Sequence, residues 1–298
     1  MLPILFATCC FLRAGNGYSE GMSDVVHDDT TDRDFHIGGN EAGLSPEEQL
    51  AQLSWYINEH YPRPTEDADI DRWVAMLPDR LTHASMLVLG SALDHSMPGV
   101  AFTGNVSVLA LPELRAARFT PSNPTGRWAV SLHGGAFRRG AGIALDNAWR
   151  PEVAAAAELS GTTIVDVDYP LLPASTAEMM GAIEAAIHYT RAQEATHVTA
   201  WGASAGAALA VLASPLVDAL LLTRPQFDAA AINATLPTPD NWPRTLIQVG
   251  LQDTTVQRWE AAERVAEVRE YVSEHLISTP EVARQRVRDV AESLRTAE

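Results

Sequence analysis

Cysteine is almost missing from this chain of 298 residues: there are two, Cys9 and Cys10, side by side near one end. Adjacent thiols cannot staple a domain, and they do not have the spacing of a zinc site, so neither a disulfide framework nor a structural zinc is expected. Positive charge is also scarce. Lys and Arg number 21 against 38 Asp and Glu, a formal net charge of −17. Nucleic acids and anionic membrane surfaces need a basic footprint, and this composition argues against both as partners. Long hydrophobic runs are lacking too. The opening MLPILFATCCFL is too short to span a bilayer, so no integral membrane association is expected. It also has no Lys or Arg ahead of it, as a secretory signal would; Arg13 follows it. The expectation is a cytoplasmic protein with an over-long start or tail, translation from Met22 included. Secretion, or a lipid anchor at Cys9 or Cys10, is the alternative if residues 1–20 act as a signal.

What is present is ordinary globular material, 46% hydrophobic and 20% charged, enough for one large domain with a modest subdomain. Residues 1–44 read as a flexible segment. Its acidic stretch groups His27, Asp28, Asp29, Asp32, Asp34 and His36 without any spacing that would organise metal ligands. Ser45 and Glu48 then form a capping box with Pro46 at the first helical position, and Leu50, Leu53 and Ile57 recur at helical spacing until Pro62 and Pro64. A second helix carries Ile70, Trp73, Val74 and Leu77, and a third is expected through Met86, Leu89 and Leu93. Residues 45–100 are therefore read as a helical region.

From residue 101 to 298 strands alternate with helices. Val106–Leu111, Ala116–Thr120, Trp128–Leu132, Thr162–Val167, His197–Trp201, Ala219–Thr223, Thr245–Val249 and Val268–Ser273 read as strands. Helices are expected over Pro151–Leu159, after the Ser175/Glu178 capping box, after Gly206, and from Pro280. This rhythm predicts an α/β fold, a mainly parallel sheet with helices on both faces, whose chemistry collects at the carboxyl ends of the strands.

Gly202-Ala203-Ser204-Ala205-Gly206 matches the G-x-S-x-G nucleophile elbow, and it lies between a predicted strand and a predicted helix, as that turn requires. His133-Gly134-Gly135-Ala136-Phe137 supplies a side-chain-free loop after a strand. Its Gly134 and Gly135 N–H groups, with that of Ala205, are expected to form an oxyanion hole. His133 is read as a residue that pins this loop. On such a fold the order is nucleophile, acid, then base, and of nine histidines only His275 follows Ser204. Asp253, in the turn after the apolar strand TLIQVG, is the best-placed acid. Asp240 sits in a Pro-rich loop, and Glu260, Glu263 and Glu267 read as the solvated face of a following helix.

HGGAF, then DYPLLP (168–173), GASAG and GLQD (250–253), in that order, resemble the hormone-sensitive-lipase-like branch of the α/β-hydrolase esterases over residues 100–298. The resemblance implies an α/β-hydrolase fold and carboxylesterase activity on short or medium acyl esters. It also implies a small-molecule ester as partner, no cofactor, and an N-terminal helical cap. The chain departs from the pattern where Ala136 stands for a third loop glycine, Pro170 for an arginine, and Glu274 for the glycine before the histidine. A hydrolase fold that binds a ligand without turning it over is the competing reading. The same three residues also serve acyltransferases, lactonases and peptidases.

Overall fold

The structure, a computed structural model, describes residues 44–91, 93–98 and 105–296. The N-terminal apolar run, the acidic stretch and Met22 lie outside the described residues.

Two helices come first. α1 (Pro46–His60) has both halves of its capping box: the Ser45 side chain accepts from the Glu48 N–H, and the Glu48 carboxylate accepts from the Ser45 N–H. α2 (Asp67–Val88) runs straight through Pro78. The third helix expected around Met86 is therefore the far end of the second, with Leu89 capping it and Leu93 beyond it. Proline costs a helix one N–H and crowds the preceding turn. Here Leu77, Leu81 and Ala84 continue one buried stripe on either side of it, packed on Leu50, Leu53 and Ile57 of α1.

The sheet has eight strands: β1 (Ser107–Leu111), β2 (Ala116–Thr120), β3 (Arg127–Leu132), β4 (Thr163–Val167), β5 (His197–Ala203), β6 (Ala219–Thr223), β7 (Arg244–Gly250) and β8 (Glu267–Tyr271). Their order is β1-β2-β4-β3-β5-β6-β7-β8; β2 runs antiparallel to both of its neighbours, β1 and β4, and the other five pairs are parallel. Between them run α3 (Arg150–Ser160), α4 (Thr176–Ala192), α5 (Ala205–Leu212), the short α6 (Glu260–Glu263) and the closing α7 (Pro280–Thr296). Glu267 opens β8 instead of extending α6, because it pairs with Leu246 in the parallel ladder.

Strand alternation assigns the two faces. Val130 and Leu132 of β3, Leu220 and Leu222 of β6 and Ile247 of β7 pack with α4 and α5. Ala129, Leu221 and Leu246, the residues between, pack with α3 and α7 on the other side. Burial on both faces is why these strands read as continuous apolar runs. Among the described residues no helix is long and apolar enough to cross a membrane.

Candidate active site

β5 continues two residues past its expected end, through Gly202 and Ala203, and delivers Ser204 to the first turn of α5. Ser204 has φ 49° and ψ −117°, a left-handed conformation that a side-chain-bearing residue adopts only at a cost. The flanking glycines make the turn sterically feasible. A Cβ on Gly202 would lie 2.3 Å from the Gly206 carbonyl oxygen, and one on Gly206 would lie 2.3 Å from the Leu132 oxygen. The chain after β6 braces the elbow: the Ser204 N–H donates to Thr223 O (2.9 Å), and Ser204 O accepts from the Gln226 N–H (3.0 Å).

The acid and the imidazole come from loops that extend the β7–β8 ladder. The Leu251 N–H donates to Tyr271 O (2.8 Å) and the Gln252 N–H to Ser273 O (3.1 Å), so residues 251–253 and 271–275 advance side by side. This carries His275 and Asp253 to the elbow. His275 Nδ1 lies 2.7 Å from Asp253 Oδ2, and His275 Nε2 lies 3.0 Å from Ser204 Oγ. Asp253 Oδ1 accepts from the Thr255 N–H at 2.9 Å. Burial opposes ionisation of Asp253, but the hydrogen bond and charge of His275, the Thr255 N–H and the Arg224 charge outweigh it. Its carboxyl is held below the ordinary value. The structure thus brings Ser204, His275 and Asp253 into one hydrogen-bonded line, and leaves Asp240, Glu260, Glu263 and Glu267 out of it.

The HGGAF loop passes over the serine. A Cβ on Gly134 would approach Ser204 Cβ to 3.1 Å, so glycine lets the loop come this close without crowding the serine. Gly135, Ala136 and Phe137 all have positive φ (119°, 54° and 63°). The alanine in place of a third glycine therefore leaves the left-handed turn in place, at a steric cost of about 1–2 kcal/mol. Among the described residues the N–H groups of Gly134, Gly135 and Ala205 donate to no protein acceptor; Ala205 follows the serine, Gly134 packs on it, and Gly135 lines the same cavity. His133 is fully enclosed and lies under the loop. Burial lowers its pKa and keeps it neutral, and its Nδ1–H donates to Gly134 O at 2.6 Å. Its ring stacks on Tyr169 (centroids 4.3 Å apart, 9° between planes), and the Tyr169 hydroxyl donates to His133 O at 2.8 Å. The DYPLLP stretch thus holds the loop from below.

A cavity of about 210 Å³ opens over Ser204, Gly134, Gly135 and His275. Its other wall comes from α2 and the turn before it, through Ile70, Val74, Leu77 and Leu81. Sequence reasoning missed five charged residues in this lining, Arg63, Asp71, Arg139, Glu152 and Arg224. They belong to no motif, and only the folded chain brings them to the serine. Among the described residues no cluster of three His, Cys, Asp or Glu side chains is spaced to hold a metal ion.

No family model matches the chain, and no curated protein does. Solved structures do. A mutant esterase shares 17% identity with a TM-score of 0.62, covering 85% of this chain and 99% of that one. An esterase from the bacterial hormone-sensitive lipase family shares 16% identity with a TM-score of 0.58, covering 86% of this chain and 99% of its own. The thermophilic carboxylesterase EstE1, cloned from a metagenomic library, shares 17% identity with a TM-score of 0.54, over 78% of this chain and 98% of its own. At such identities the likeness is one of fold: the chain has the α/β-hydrolase fold that these proteins share.

Proposed function

We propose that the protein is a serine carboxylesterase that cleaves short or medium acyl esters. One observation carries this reading: an unbroken hydrogen-bonded line from Ser204 through His275 to Asp253, in a cavity where three backbone N–H groups have no acceptor among the described residues. Ser204 Oγ attacks the ester carbonyl carbon while His275 Nε2 takes its proton. The former carbonyl oxygen becomes an oxyanion, received by the Gly134, Gly135 and Ala205 N–H groups, each worth roughly 3–4 kcal/mol to the transition state. The C–O bond to the alcohol then breaks, and His275 returns the proton to the leaving oxygen. Water attacks the acyl-enzyme by the same route, giving the carboxylic acid and free Ser204. Asp253 accepts from His275 Nδ1–H throughout and stabilises the imidazolium. In this reading residues 101–298 form the catalytic domain, and the helices of the 45–100 region serve as its cap, closing the cavity over the substrate.

The neighbours titled esterase and carboxylesterase support this chemistry through their shared fold. A hydrolase fold kept only for binding would have no use for the strained backbone at Ser204 or for an acid aligned behind the imidazole. The test is Ser204→Ala against a panel of p-nitrophenyl esters. Turnover should fall to background for every member, and turnover equal to wild type would sink the assignment.

A further inference from the structure

Arg224 is the first residue after β6, between Thr223, which accepts from the Ser204 N–H, and Gln226, which donates to Ser204 O. Its φ is 47°, and its own N–H donates to Gln248 O at 2.7 Å. The backbone is thus pinned on three sides in a conformation that an arginine does not favour, beside the nucleophile. The side chain gives one guanidinium N–H, from Nη1, to the carbonyl of His275. Among the described residues its remaining donors have no protein acceptor, it makes no ion pair, and it lines the cavity that holds Ser204.

The two carboxylates whose charge reaches Arg224 are engaged elsewhere. Glu152 accepts from Arg286 through both oxygens, at 2.9 and 2.5 Å. Asp253 accepts from His275 and Thr255. Of the remaining charged side chains around the cavity, Arg139 is paired with Asp67 at 2.7 Å, Asp71 accepts from the Gly140 N–H at 2.9 Å, and Arg63 is exposed to solvent. Burial and the neighbouring Arg286 charge push the Arg224 guanidinium below its ordinary value, against the pull of Glu152 and Asp253. In a chain of net charge −17 the cavity therefore keeps a half-buried cation whose remaining fork-shaped donors have no acceptor among the described residues.

We infer that the substrate is an acid ester, which carries an ionised carboxylate besides its scissile bond, and that Arg224 receives this carboxylate inside the cavity. The inference rests on the esterase reading above and narrows it. Arginine suits the task because its planar donors match a carboxylate edge, and a charge-assisted pair out of bulk water discriminates strongly against a neutral isostere. The hydrogen bond to His275 O ties the same guanidinium to the segment that bears the base.

The experiment compares matched substrates with the carboxylate on either side of the ester: mono-p-nitrophenyl glutarate against its methyl ester, and 4-acetoxybenzoate against its methyl ester. Wild type should favour the charged member of at least one pair by roughly 10- to 100-fold in kcat/KM. Arg224→Met should lower all rates, having lost the bond to His275, and should bring the charged-to-neutral ratio of that pair to one or below. Arg224→Lys should keep part of the ratio. Equal or lower kcat/KM for the charged member of both pairs in wild type would overturn the inference, as would a ratio unchanged in Arg224→Met. Labelling of Ser204 by a fluorophosphonate, run in parallel, separates the two levels. A labelled enzyme without charge preference refutes the acid-ester inference alone, whereas an unlabelled one refutes the esterase reading and this inference with it.

Discussion

Replacing Asp253 with Asn should disable the site through the histidine tautomer while leaving the fold intact. Asp253 accepts two hydrogen bonds, one on each oxygen: from the Thr255 N–H at 2.9 Å and from His275 Nδ1 at 2.7 Å. Asparagine has a single acceptor oxygen for these two donors. The backbone N–H of Thr255 cannot become an acceptor, but the imidazole can. The asparagine oxygen therefore stays on Thr255, its NH₂ faces His275 Nδ1, and the ring proton moves to Nε2. Nε2–H then points at Ser204 Oγ and cannot take its proton. The wrong tautomer costs about 10⁴-fold in kcat, equivalent to roughly 5.5 kcal/mol of transition-state stabilisation. KM should change little, because Asp253 does not reach the substrate. Initial rates with p-nitrophenyl acetate, alongside near-UV circular dichroism to confirm folding, read the effect. A folded Asp253→Asn protein that keeps more than a tenth of wild-type kcat would refute this account of the tautomer.

Other expectations follow from the same geometry. Gly206→Ala drives a Cβ to 2.3 Å from the Leu132 oxygen, so Tm should drop by roughly 5 °C or more, whereas Gly181→Ala on the exposed face of α4 meets nothing within 4 Å and should raise Tm by about 1–3 °C. Calorimetry on both variants checks the opposite signs, and a shift in the same direction would contradict the packing at the elbow. The Asp253 carboxyl is depressed in the folded state, so the stability it contributes is fully present above the unfolded value of about 4 and is lost as pH falls through the lower folded value. The Tm advantage of wild type over Asp253→Asn should accordingly be full at about pH 6 and shrink towards about pH 3; an advantage that grows with acid would reverse the sign of the linkage.

The fold was legible wherever local chemistry and tertiary need agree. Both capping boxes, Ser45 with Glu48 and Ser175 with Glu178, form as the spacing implies, and Met179, Ile183, Ile187 and Thr190 of α4 all turn inward. Local rules misled where the tertiary structure overrides them. The expected second and third helices are one, α2, whose buried stripe continues past Pro78, and Glu267 leaves α6 because it pairs with β7 in the parallel ladder. At the site, the glycines that permit close approach and the lone downstream histidine could be read in order along the chain. Arg224 could not. Its significance comes from a strained φ, a carbonyl on a loop 51 residues away and a cavity wall supplied by α2, and none of these leaves a mark in the sequence around it.

The central claim is that Ser204 is a nucleophile activated by His275. Its most direct test is intact-mass and peptide mapping after brief exposure to a fluorophosphonate at neutral pH, on wild type and His275→Ala in parallel. The account predicts one adduct per wild-type chain, on Ser204, formed together with complete loss of esterase activity, and labelling slowed by orders of magnitude in His275→Ala. An unmodified Ser204, or equal labelling rates in the two proteins, would contradict it.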